Sequence, residues 1–156
     1  MTIHKTHLTA GDKYGIQVPE IIVMHAMGEY IAGKHAVPFL ADIDLSAHSL
    51  IDSDGNNYRC REDNEVAYHA AGHNINSLGL ETLVKGDFIY STFLEAMKTE
   101  YVTDSQYTEI LRQVREWLDL WPIKKIVRHS DLSPERKVDP GVGFPWKDFL
   151  NDVGMD

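Results

Sequence analysis

EIIVMHA, residues 20–26, is a β-branched, apolar run with Pro19 before it and Gly28 after it. A short run of this kind, closed on both sides by turn-forming residues, predicts a buried strand. Working outward, SAHSLID (46–52) suits a second strand. Ser53-Asp54-Gly55-Asn56 follows it and leads into NYRCR (57–61). Asp-Gly tolerates the positive φ of a tight turn, so the two segments read as a hairpin. SLGLETL (77–83) and KKIVRH (124–129) supply two more strands. The clearest helix covers 104–120, where Tyr107, Ile110, Leu111, Val114, Trp117, Leu118 and Trp121 repeat at the spacing of one helical face. Thr103 with Gln106 forms a capping-box start, and Pro122 stops the helix. Its aromatic stripe reads as core. Shorter helices are expected over 34–42 and over 146–153, the latter opened by Pro145 and ended by Gly154. Strands interleaved with helices and one hairpin predict an α/β fold: a single domain over 1–156, with a central mixed sheet of about five strands flanked by helices.

The chain has 156 residues, 15 Lys+Arg against 24 Asp+Glu and a net charge of -9. With 43% hydrophobic and 25% charged residues, the composition is that of a soluble globular domain and excludes a disordered or fibrous chain. The excess of acid disfavours nucleic acid and stable association with an anionic membrane. The strongest apolar run, Ile21–Met24, is far too short to cross a bilayer. MTIHKTHLTAGDKYG at the N-terminus lacks the apolar core of a secretory signal, so a cytoplasmic location is expected. Cys60 stands alone, which excludes an intrachain disulfide. A monomer is expected. The eight histidines exceed what packing needs and point to chemistry.

That chemistry centres on IVRHSDLSPERKVDPGVGFPW (126–146). An apolar strand ends at His129, and a loop stiffened by Pro134, Pro140 and Pro145 carries Lys137 and Asp139. Imidazole nitrogen and carboxylate oxygen both suit zinc, and the loop can bring Asp139 back beside His129. Taken alone, a His-x9-Asp spacing occurs by chance in many proteins, and a solvated surface loop is the favoured reading. The strand at 20–26 also carries a histidine, His25, near its end. If the two strands are neighbours, both rings project from one end of the sheet. Two histidines and one carboxylate from separate segments would leave a fourth position open, as in a catalytic zinc site. On the residues alone, His25 is equally a core histidine bonded to a carbonyl.

The segments VMH (23–25), SAHSLIDSDG (46–55), AYHAAGHNINSLGLE (67–81) and RHSDLSPERKVDPG (128–141) together resemble the zinc-dependent N-acetylmuramoyl-L-alanine amidases. This is the amidase-2 family, which takes in phage lysozyme-amidases, bacterial recycling amidases and peptidoglycan recognition proteins. The resemblance spans roughly 20–150 in the family's order, and its most specific piece is the His-Ser-Asp…Pro…Arg-Lys-x-Asp-Pro-Gly run. It implies Zn2+ held by His25, His129 and Asp139 at one end of the sheet. It also implies catalytic roles for Glu81, in Ser77-Leu78-Gly79-Leu80-Glu81, and for Lys137. Many family members carry cysteine where this chain has Asp139; the recycling branch carries aspartate. Many phage members have a tyrosine at the position of Ala47, and its absence here places more of the acid–base work on Glu81.

His69, in Tyr68-His69-Ala70-Ala71-Gly72, matches the family's Trp-His-Ala-Gly histidine and is expected either to contact substrate or to hydrogen-bond within its loop. His73 and Asn76 are expected at the substrate-binding rim, with Asn74 beside them. His4, His7 and His35 are expected at the surface. The resemblance implies peptidoglycan or a muropeptide as partner. No separate wall-binding domain is expected. The expected role is a phage endolysin that reaches the wall when the membrane is breached. The alternatives are a cytoplasmic recycling amidase acting on anhydromuropeptides and a recognition module that binds without cutting.

Overall fold

The run that opens the reading above lies within the strand that organises the sheet. In the computed structural model, which describes residues 2–155, the strands are β1 (Ile3–Lys5), β2 (Ile21–Ile31), β3 (Lys34–His35), β4 (Ser49–Ile51), β5 (Asn57–Arg59), β6 (Ser77–Phe88) and β7 (Lys125–Arg128). The helices are α1 (Ala36–Asp42), α2 (Tyr90–Ala96), α3 (Asp104–Leu120), α4 (His129–Leu132) and α5 (Trp146–Val153). One mixed sheet of seven strands runs β1-β5-β4-β6-β2, and β2's outer edge is shared by β7 along its first half and β3 along its second. The β2–β6, β2–β7, β4–β6 and β1–β5 pairs are parallel, whereas β4–β5 and β2–β3 are antiparallel.

The expected mixed α/β sheet is present, with seven strands rather than about five. Both additions are short: β1 is three exposed residues and β3 two. The predicted helix over 34–42 begins at Ala36, because Lys34 and His35 first pair back onto Ile31 and Tyr30. The His35 ring then accepts the Val37 N–H at 3.2 Å, capping α1. The strands at 20–26 and 77–83 extend to Ile31 and Phe88. Their register shifts between Gly28 and Tyr30, where a Cβ on Gly28 would lie 2.9 Å from both Phe88 and the Tyr30 carbonyl. α3 and α5 stand as predicted, and Gln106 of the α3 cap also reaches the Ile51 and Leu83 carbonyls.

Period-two alternation sorts the two central strands between two cores. Ile22, Met24, Leu78 and Leu80 pack with Ile110, Val114 and Trp117 of α3 and Phe149 of α5. Met27, Leu50 and Leu83 pack on the other face with Ala36 and Leu40 of α1. His25 and Glu81 share that second face, directly opposite each other in the β2–β6 register. A sheet of this order therefore holds a polar row inside an apolar layer. No helix among the described residues is long and apolar enough to cross a membrane.

Candidate metal centre

Three segments distant in sequence meet at the carboxyl end of β7. Arg128 pairs with Met24, so the chain leaves the sheet at His129 beside His25. The loop after α4 folds back through Lys137 N–H to the Ser133 carbonyl (2.8 Å) and Ser130 N–H to the Asp139 carbonyl (3.1 Å). Tyr101 fastens its far side by donating to the Pro140 carbonyl at 2.5 Å. Asp139 is thereby set against both histidines, and its Oδ2 also accepts the Ala26 N–H at 3.3 Å.

His25 Nδ1 lies 3.0 Å from His129 Nδ1 and 3.4 Å from Asp139 Oδ2, and His129 Nδ1 lies 3.2 Å from Asp139 Oδ1. All three residues are buried, and their donor atoms converge on one point. A tetrahedral ion with bonds near 2.0–2.1 Å separates its ligand atoms by about 3.3–3.4 Å. The spacing and the nitrogen–oxygen donor set thus fit a divalent metal. Burial pulls the His25 ring below the usual imidazole range, against the pull of Asp139, which favours a bare, metal-binding nitrogen. Burial alone would raise the Asp139 carboxyl, but the His129 and His25 rings against it hold it well below the carboxylate range. Asp139 is accordingly the charged member of the set.

Glu81 sits across from His25 with Oε2 3.9 Å from His25 Nδ1, and its Oε1 is buried without a hydrogen-bond partner. Burial, reinforced by Asp139 and only partly offset by Lys137, pushes its carboxyl well above the usual range. A buried carboxyl beside the cradle is placed to accept and return a proton. Lys137 is half-buried and makes no ion pair among the described residues. His25, His69, Glu81, His129, Lys137 and Asp139 all line one cavity of about 290 Å³. Its remaining wall is apolar, from Met27 and Ile31 of β2, Phe39 of α1, and Phe88, Tyr90 and Phe93 at the β6–α2 junction.

The structure therefore brings the five expected metal-binding and catalytic residues together. His73 and Asn76, expected at the substrate rim, are exposed and do not line the cavity. Their loop is turned away because Asn74 Oδ1 accepts the backbone N–H groups of His69 and Ala70 at 3.0 and 2.8 Å. Asn76 adopts a φ of 62° and donates its own N–H to Gln17. His69 does border the cavity, but both its ring nitrogens are taken: Nδ1 by His25 Nε2 at 2.9 Å and Nε2 by Ser77 Oγ at 2.9 Å. Sequence reasoning overlooked Ser77 and Gly79, which hold this ring from beside and beneath. A lone glycine inside an otherwise apolar strand was the available signal for a close approach. Cys60 is buried in the α1-side core, its thiol pushed up to about 12 by burial, and takes no part.

A single mixed sheet with helices on both faces, carrying a His-His-Asp cradle beside a buried acid and a lysine, defines an α/β domain with a candidate metal site. Residues 12–142 match the family described as N-acetylmuramoyl-L-alanine amidase (Amidase_2), and the chain belongs to that family. The 1,6-anhydro-N-acetylmuramyl-L-alanine amidase AmpD of Haemophilus influenzae is 33% identical over 122 residues, covering 74% of this chain and 64% of the relative, so the match spans less than two thirds of that protein. Among solved structures, the N-acetylmuramoyl-L-alanine amidase LysC from Clostridium intestinale superimposes with a TM-score of 0.76 at 23% identity, over 100% of this chain and 99% of the other. The amidase AmiD from E. coli, solved with anhydro-N-acetylmuramic acid-L-Ala-D-gamma-Glu-L-Lys, gives 0.67 at 20% identity over 86% and 57%. Both share the fold.

Proposed function

We propose that the protein is a zinc-dependent amidase that hydrolyses the bond between N-acetylmuramic acid and L-alanine in peptidoglycan. The observation that carries this reading is the convergence of His25, His129 and Asp139 within 3.0–3.4 Å of one another, with Glu81 and Lys137 in the same cavity. Zinc held by these three residues lowers the pKa of water from 15.7 to about 7 and polarises an amide carbonyl. Glu81 takes a proton from the attacking water and delivers it to the alanine nitrogen as the C–N bond breaks and the C–O bond forms. Lys137 places its ammonium against the carbonyl oxygen as charge gathers there. Asp139, fixed by Ala26 N–H as well as by both histidines, keeps the donor atoms in place. The apolar wall limits water around the reacting amide and strengthens each of these interactions.

For the source of the amide, our first reading is the intact wall, the substrate of an endolysin. The match to the Haemophilus AmpD, together with the aspartate at position 139, favours a second reading in which the substrate is a soluble anhydromuropeptide. A purely binding module would be expected to lack a metal ligand, and this chain keeps all three. Metal analysis should find about one zinc per chain. Chelation should abolish hydrolysis and zinc restore it, and products should carry free L-alanine N-termini by mass analysis. Cleaved glycosidic bonds, or full activity in a His129→Ala, Asp139→Ala double variant, would overturn the reading. Parallel assays on sacculi and on soluble anhydromuropeptide separate the two substrates.

A further inference from the structure

We propose that His69 is a positioning residue for the metal site, fixing the ring of His25 through Nδ1 while Ser77 in turn fixes the ring of His69. The inference rests on the reading that His25 holds a metal. The direction of each hydrogen bond follows from the far end of the relay, where the partner is a carbonyl and can only accept. Ser77 Oγ donates to the backbone oxygen of His73 at 2.7 Å, with that of Asn74 at 3.0 Å. Its lone pairs are left to accept from His69, so the His69 proton sits on Nε2. His69 Nδ1 is therefore bare and accepts from His25 Nε2 at 2.9 Å. That assigns the His25 proton to Nε2 and aims the Nδ1 lone pair at His129 and Asp139. Metal-binding histidines whose second nitrogen is held in this way keep both tautomer and ring orientation.

Two further features show that the position is built. The His69 ring lies on Gly79, where a Cβ would come within 2.6 Å of the ring, so that ring and strand approach as closely as the sequence permits. The backbone under the ring is pinned by Asn74. His129 has no matching brace, since its Nε2 is buried without a partner among the described residues. Orientation of the nitrogen pair thus depends on the His25 side.

The test measures Zn2+ affinity by competition with a chromophoric chelator, together with the visible spectrum of the Co2+-loaded protein. It compares the wild type with His69→Leu, His69→Asn and Ser77→Ala, with thermal melts of each metal-free protein as the check on folding. His69→Leu keeps bulk above Gly79 but removes the acceptor, and should weaken binding about 10–100-fold with an altered Co2+ spectrum. His69→Asn presents Oδ1 where Nδ1 stood and should return close to wild-type affinity, an outcome that packing alone does not give. Ser77→Ala should weaken binding in the same direction. A folded His69→Leu protein that binds zinc like the wild type, or a His69→Asn protein as weak as His69→Leu, overturns the proposal. Should His69→Leu fail to fold, wild-type affinity in Ser77→Ala overturns it. A wild type that takes up no zinc overturns the amidase reading, and this one with it.

Discussion

Replacing Gly79 by alanine isolates the close approach on which the His69 position depends. The strand there is extended, without the positive φ that would itself penalise a side chain. In the absence of a neighbour, Gly→Ala in such backbone stabilises by about 0.4–1 kcal/mol, because the unfolded chain loses freedom. His69 reverses the sign. The added methyl would lie 2.6 Å from His69 Cγ and 2.7 Å from Nδ1, against an ordinary contact of about 3.5–4.0 Å. The ring must retreat by about 1 Å, which stretches the 2.9 Å bond to His25 well past hydrogen-bond reach. Overpacking of this kind costs about 1–3 kcal/mol, and the broken hydrogen bond adds about 1 kcal/mol. Gly79→Ala should therefore destabilise the metal-free wild type. In a His69→Ala background only the 3.1 Å contact with the residue 69 Cβ remains, so the same substitution should cost much less, a coupling of about 1–3 kcal/mol. Urea unfolding of the four proteins measures it, and chelator competition should show weakened zinc binding wherever the ring is displaced or absent. Equal destabilisation by Gly79→Ala with and without the His69 ring would refute the reasoning.

Two other perturbations bear on separate parts of the molecule. Glu81→Gln should keep the metal and the fold but lose about 10²–10⁴-fold in turnover, measured as L-alanine N-termini released; unchanged turnover would reassign the proton carrier. Asp63 accepts from Trp117 Nε1 at 2.9 Å and Trp121 Nε1 at 3.0 Å and pairs with Arg59. Burial works against its charge, yet Arg59 and the two indoles hold the carboxyl below the usual range. The stability it contributes is fully present above the unfolded carboxylate value near 3.8, and is lost as the pH falls below that and through the folded value. Asp63→Ala should cost about 3–5 kcal/mol at pH 7, since it strands a guanidinium and two indole N–H groups, and the deficit should shrink in acid; a pH-independent difference in urea midpoints would contradict this.

The parts legible in the sequence were those governed by local pattern. α3 carries its period, its Thr103–Gln106 cap and its Pro122 stop within one window, and it stands as read. The cradle was legible because ordered motifs carried His25, His129 and Asp139 together, not because any one spacing required it. What escaped the sequence lacked a local signal. β1 is an exposed Ile-His-Lys whose strand character comes only from pairing with β5. α2 is seven residues without a buried one, and it starts where Thr92 Oγ1 accepts the Ile89 N–H. Its own Tyr90 and Phe93 nevertheless form part of the apolar wall of the cavity.

His73 and Asn76 lie outside the cavity for a related reason: polarity in a loop shows that it meets water, not which way it faces. Direction came instead from Asn74 and Gln17, which hold backbone rather than present side chains.

The surplus of histidine has a structural cause that no window could show. Four of the eight form a line of rings, His48–His69–His25–His129, with centroids 5.9, 5.1 and 4.5 Å apart. Parallel pairing makes this possible, since crossovers set side by side residues that lie tens of positions apart along the chain. Three of the rings are buried and His69 is half-buried, so each must be neutral or matched by charge, and each neutral ring has one donor and one acceptor to place. His48 accepts the Gly79 N–H at Nδ1 and donates from Nε2 to the Glu65 carbonyl; burial holds it neutral down to about 4. It thereby fixes the same glycine on which His69 rests. His69 passes its proton outward to Ser77 and receives that of His25. From His48 to His25 every donor thus points away from Asp139, and the bare His25 Nδ1 faces the point where a cation would sit. A row of histidines with this polarity needs no charged residue to aim it. It needs only backbone carbonyls at its far end, which the loop between β5 and β6 supplies.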